Sequence, residues 1–245
     1  MIEVSGLVKK RGDRAIVDGV SFSIGRGEVA AVLGPSGGGK TTLLRCMHGL
    51  ESFDAGTVRI GTATLGAGDP RKHPTALASI RAEAGFVFQQ WHLFAHMSVL
   101  ENVIEAPVHV KKVPRAEAIA KAAALLEHVG LGHRKDARPR ALSGGEQQRA
   151  AIARALAMEP EVLFMDEPTS ALDPERVGDL IELLLQLRGE GLTLVAVTHE
   201  ISFAKRLADH VLVLASGKLV EEGPPSAVLE DPQDPRTRKF LGLDE

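Results

Sequence analysis

Two hydrophobic periods alternate along the chain. The first sixty residues read as short β segments: "IEVSGLVK", then "AIVDGVSFSI" with apolar residues at alternate positions, then the turn "GRGE" and the unbroken apolar run "VAAVLG". A continuous run of that kind suits a strand buried on both faces of a parallel sheet. From Lys40 the pattern "KTTLLRCMHGL" changes to helix period and stops at Gly49, and "GTVRIG" gives another short strand. From about Trp91 to Met158 the pattern is mostly helical. Its clearest amphipathic stretch, "PRAEAIAKAAALLEHVGL", is opened by Pro114 and closed by Gly130. Two further buried-strand runs, "EVLFMDEP" and "LTLVAVTHE", flank the helix-patterned "PERVGDLIELLLQLRGEG". The tail carries a hairpin pattern, "HVLVLASGKLVEEG", with Ser216-Gly217 at its turn, and a Pro/Asp-rich "DPQDPRTRKF". Alternating strands and helices predict an α/β core, with the helical middle inserted into it.

Composition narrows the setting. A chain of 245 residues buries a good core without covalent staples. The one cysteine, Cys46, has no internal partner, and no charged-then-apolar leader precedes the first strand pattern, so a reducing, cytoplasmic setting is expected. No apolar run approaches the roughly 18 to 20 residues that span a bilayer. A net charge of −3 lacks the one-sided basic excess of a nucleic-acid binder, and no partner of that class is expected.

The chemistry lies at the ends of the buried runs. "GPSGGGKTT", comprising Gly34, Pro35, Ser36, Gly37, Gly38, Gly39, Lys40, Thr41 and Thr42, fits G-x-x-x-x-G-K-[ST] between a buried strand and a helix. Its glycines let successive backbone N–H groups wrap a phosphate at a helix N-terminus, where the dipole also favours an anion. Lys40 would reach the β- and γ-phosphates, and the Thr41 hydroxyl would ligate Mg²⁺. "VLFMDEP" delivers Asp166 to the carboxyl end of a buried strand, placed to hold the ion's hydration shell, with Glu167 beside it as general base for an attacking water. His199 ends the next apolar run and would hold the reacting geometry by a hydrogen bond. Gln89, after "GFVFQ", has the same kind of address. "LSGGEQQR" reads as a helix start: Ser143 caps, Glu146 completes a capping box, and Gly144 and Gly145 leave bare N–H groups open to an anion. That makes a second phosphate-seeking helix end, a hundred residues after the first.

These residues resemble one family closely, the nucleotide-binding subunits of ATP-binding cassette (ABC) transporters, in order over nearly the whole chain. "GPSGGGKTT" is similar to the Walker A loop, "VFQQ" to the Q-loop at Gln89, which would add a metal contact, and "LSGGEQQR" to the family signature. "VLFMDEP" is similar to Walker B, "SALD" to the D-loop ending at Asp173, and "VTHE" to the switch histidine. The resemblance implies a P-loop NTPase (RecA-like) α/β core with an N-terminal antiparallel β subdomain and an inserted α-helical signature subdomain. Residues about 1–90 and 160–245 would form the core and β subdomain, and about 91–159 the helical subdomain, within one domain of 1–245. It implies ATP and Mg²⁺ as ligands and a head-to-tail homodimer in which Ser143, Gly144, Gly145 and Glu146 face the partner's ATP. The second phosphate-seeking helix end would then complete the other subunit's site.

"VFQQWHLFAHMSVLENV" and the tail are further similar to the ATPase subunits of bacterial polar amino acid importers. Those imply integral membrane permease partners, an extracytoplasmic solute-binding protein beyond them, and a peripheral place on the cytoplasmic face of the inner membrane. No C-terminal regulatory domain is expected after "RTRKFL". Trp91, Leu93 and Phe94 either receive a permease helix or pack within the insertion. The same engine also serves lipoprotein release, export and cell division, and soluble relatives act on DNA or ribosomes. Two positions depart from the family pattern: Arg11 stands where relatives place an adenine-stacking aromatic, and Arg138 replaces an aromatic before the signature. A guanidinium also stacks on a π face, which keeps Arg11 in the nucleotide-binding set.

Overall fold

The structure, a computed structural model, describes residues 1–170 and 172–243. Ala171 of "SALD" lies outside them. Strands β1 (Ile2–Arg11) and β2 (Arg14–Ile24) pair antiparallel, and β3 (Val29–Leu33) and helix α1 (Lys40–Met47) follow. Strand β4 (Phe53–Ile60) returns to β1 and β5 (Ala63–Gly68) to β4, giving a four-stranded antiparallel sheet of order β2-β1-β4-β5. Helix α2 (Pro74–Glu83) leads into β6 (Ala84–Val87). Helices α3 (Val99–His109), α4 (Arg115–His128) and α5 (Gly144–Leu156) then come with no strand between them.

The remaining chain alternates again: β7 (Val162–Asp166), α6 (Pro174–Gly189), β8 (Thr193–Val197), α7 (Ile201–Leu207), β9 (His210–Ala215), β10 (Lys218–Gly223), α8 (Pro225–Glu230) and α9 (Pro235–Leu241). A six-stranded sheet of order β10-β9-β3-β8-β7-β6 results, parallel from β9 to β6 with β10 antiparallel at its edge.

The unbroken apolar runs are explained by what covers them. On β7, Val162 and Phe164 pack in the core shared with the antiparallel sheet, while Leu163 and Met165 pack against the helical side. Strand β8 repeats the division, with Val195 and Val197 on one face and Leu194 and Ala196 on the other. No position on either strand is left for a solvated side chain, which is the condition for a sheet covered on both faces. In the insertion, α4 buries Ala118, Ala122 and Leu126, one residue every four, and ends before Gly130 at φ 72°. Among the described residues no helix is long and apolar enough to cross a membrane.

Several elements, among them β5, α2, α7, α8 and α9, show no sequence pattern of their own. Strand β5, "ATLGAG", contributes only Ala63 and Leu65 to the core, and α2 only Leu77 and Ile80. With so few apolar positions neither shows a period, and both form because β4 and β6 give them a surface to cover.

Candidate functional site

The parallel strands deliver their carboxyl ends to one edge, where ligands bind in open α/β sheets. Strand β3 ends at the Gly-rich loop, β7 ends on Asp166, β8 runs out toward His199, and β6 toward Gln89. The loop's backbone admits only glycine at two places. Gly34 has φ 137°, and a Cβ there would overlap the carbonyl oxygen of Leu214; Gly39 has φ 100°, and a Cβ would overlap that of Ile16. Strand β9 and the β2 strand therefore press on the loop from outside and hold its curl, and the loop's inner side borders a cavity of about 550 Å³. Ser36 to Thr42 line it, with Gln89, Glu167 and His199 facing them and Arg11, Arg14 and Ile16 at the rim.

Within this cavity Lys40 is buried and folds back on its own loop, donating to the carbonyls of Gly34 at 2.7 Å and Pro35 at 3.1 Å. Burial pulls its ammonium below the usual lysine range, and the nearby Glu167 and Asp166 carboxylates oppose that pull. The Thr41 hydroxyl donates to Asp166 Oδ1 at 2.7 Å, and Arg45 Nη2 lies 3.6 Å from Asp166 Oδ2. His199 Nδ1 is 2.9 Å from Glu167 Oε2. Glu167 itself sits at φ 49°, a left-handed backbone rare outside glycine, held by its N–H bond to Val197 at 2.8 Å. The site thus combines a cationic loop, two carboxylates and an imidazole, each fixed by a strand end.

Other expected residues lie at the margin or elsewhere. Gln89 is exposed and donates to Ser170 Oγ at 3.3 Å, while Ser170 Oγ donates to the carbonyl of Glu167 at 3.0 Å. Arg11, exposed at the rim, is tied to Glu51 at 3.1 Å. Asp173 precedes α6 with no side-chain bond into the helix, and its carboxylate lies 3.7 Å from Arg176. Arg138 is exposed beside the short turn Pro139–Ala141.

Ser143, Gly144, Gly145 and Glu146 do not line the cavity. They form the start of α5, where Ser143 Oγ accepts from the Glu146 N–H at 3.4 Å and Glu146 accepts from the Ser143 N–H at 2.7 Å. Arg134 bonds the Glu146 carboxylate at 2.8 Å and, with the Ser143 N–H, holds its pKa down at about 2. Of the apolar trio after Gln89, Trp91 and Leu93 pack against the helical core and Phe94 is exposed. Arg14 and Ile16 reach the site without any sequence signal, because chain reversal alone brings them there, whereas Arg45, one helical turn after Thr41, and Ser170, the first residue of "SALD", reach it locally.

The family described as "ABC transporter" matches residues 17–170. The L-cystine transport system ATP-binding protein of Escherichia coli is 49% identical over 241 residues, covering 98% of this chain and 96% of that protein. The arginine transport ATP-binding protein of Corynebacterium glutamicum is 45% identical over 249 residues, covering 98% and 97%. Among solved structures, the ATP-binding cassette MJ0796, a dimer in a post-hydrolysis state bound to ADP and Pi, superposes with a TM-score of 0.81. It is 31% identical and covers 92% of this chain and 99% of that one. Motif order, strand-end geometry and full-length likeness agree, and the chain belongs to the ABC transporter family as one of its ATP-binding subunits.

Proposed function

We propose that this chain is the ATP-hydrolysing subunit of an importer for polar amino acids, working as a head-to-tail homodimer beneath a membrane permease. One observation carries the reading: Lys40, Thr41, Glu167 and His199 line one cavity, with Asp166 buried behind it and bonded to Thr41, while the signature helix start stands off it. The helix N-terminus at Ser143 and Gly144 has anion-binding chemistry and does not line the phosphate cavity of its own chain, while Gly145 is buried against Arg176. A second copy supplies such a cavity, and a solved relative is a dimer.

The donor set fits Mg²⁺. Thr41 and Asp166 offer a hydroxyl and a carboxylate, hard oxygen donors that already lie 2.7 Å apart. When bound there the ion neutralises charge on the terminal phosphates. The chain's own residues do the rest. Lys40, released from its two carbonyls, binds the β- and γ-phosphates; Glu167 accepts a proton from the attacking water; and His199, already bonded to Glu167, orients that carboxylate and the γ-phosphate. Gln89 closes the rim from its turn.

A second cavity, of about 710 Å³, supports the permease part of the reading. Leu50, Phe86, Phe88, Phe94 and Val110 line it, and Leu50, Phe94 and Val110 are large apolar side chains left in water. A contiguous apolar patch of that kind suits an amphipathic helix from a partner. The cystine and arginine relatives supply the substrate class. Deleting the gene in its host should abolish uptake of at least one labelled polar amino acid, with cystine and arginine tried first. Unchanged uptake across the whole set would remove the import assignment and leave the ATPase standing.

A further inference from the structure

Gln89 stands on a turn whose far end is fastened to the signature helix. The Trp91 N–H donates to the Phe88 carbonyl at 2.9 Å and closes the turn around Gln89. Trp91 and His92 then take left-handed backbone, φ 59° and 46°, a conformation that persists in such residues only where the surroundings impose it. Here α5 imposes it. Arg154 Nη2 donates to the Trp91 carbonyl and Nη1 to the His92 carbonyl, both at 2.7 Å, and the guanidinium lies 5.7 Å from the centre of the Phe94 ring. The Trp91 indole N–H donates to Gln148, buried on the same helix.

The arrangement is costly to build. Among the described residues Arg154 forms no ion pair, and burial draws its pKa below the usual arginine value. A cation withdrawn from water is normally offset by a carboxylate. This one is given to two carbonyls that no regular element would hold in place. Beyond them the contacts run on to the reacting centre, from Gln89 to Ser170 and from Ser170 to the Glu167 carbonyl.

We propose that Arg154 is a positioning residue for hydrolysis, setting the stance of Gln89 by clamping the Trp91 and His92 carbonyls to the helix that begins at Ser143. The Gln89 turn and the signature then move as one piece, so the helix that reaches toward the partner's nucleotide carries its own chain's Gln89 with it. The proposal rests on the ATPase reading above. Arg154 also borders the apolar cavity, so a segment seated against Phe94 bears on the same clamp.

The test is a double-mutant cycle on the purified full chain, with ATP turnover measured for wild type, R154A, R154K, Q89A and R154A/Q89A. R154A should lower kcat about tenfold with KM for ATP within about twofold, because the Gly-rich loop is untouched. R154K, able to reach one carbonyl, should recover part of the loss. R154A/Q89A should turn over no slower than Q89A alone, since a residue acting only through Gln89 has nothing left to position. Losses that multiply in the double variant, or R154A with wild-type kcat, would overturn the proposal. If R154A fails to fold, R154K against R154K/Q89A decides the same question. A wild-type protein without turnover would instead overturn the ATPase reading.

Discussion

Glu167 shows how much one residue's placement settles. Its left-handed backbone is fixed by the bond to Val197, and its carboxylate meets His199 at 2.9 Å. Glu167→Gln keeps the shape and removes the basic oxygen. Turnover should fall about 100-fold or more while ATP still binds, and size-exclusion chromatography with ATP should show a stable dimer. A monomeric variant with wild-type turnover would unseat Glu167 as the base. His48 offers a second residue-scale test, this time of stability. It packs edge-on against Phe86 and Phe164 and bonds the Ala84 carbonyl at 2.9 Å through Nε2. Burial pulls its pKa from 6.5 to about 4, so between those values the unfolded chain takes up a proton that the folded chain refuses. Stability contributed by neutral His48 is complete above 6.5 and is lost as pH falls toward 4, by an amount on the order of 3 kcal/mol. Thermal melts across that window should show a shallower decline for His48→Gln than for wild type, and parallel declines would refute the assignment.

At the scale of elements, α5 is the informative case. Its capping box was legible because Ser143 and Glu146 are three apart before a run of helix formers, a purely local relation. Ser143→Ala should cost about 1 kcal/mol in denaturant melts without nucleotide, the usual worth of an N-cap; no change would mean the glycines, not the cap, start the helix. Strands β3, β7 and β8 were legible for a different reason, since burial on both faces leaves an unbroken apolar run. Legibility ended where a residue's work depends on a distant chain segment. Arg134 reads as an ordinary loop arginine until the fold sets it against Glu146, and Arg154 as an ordinary helix former until it meets the carbonyls of Trp91 and His92. The site shows the same boundary: the Gly-rich loop and the Asp-Glu pair were in the sequence, whereas Arg14 and Ile16 at the rim appeared only in three dimensions.

For the whole molecule, the two sheets divide the labour. The parallel sheet delivers the reacting groups to one edge, and the antiparallel sheet brings Arg11, Arg14 and Ile16 to its rim. The helical insertion holds the start of the signature helix off that cavity. The loop from Gln89 to Phe94 runs between the phosphate cavity and the apolar cavity, with Trp91 midway along it. The chain has one tryptophan and no tyrosine. Its intrinsic fluorescence is therefore the emission of that loop and nothing else. Nucleotide arriving on one side or a partner on the other can be followed by the colour and intensity of a single native indole, without any label.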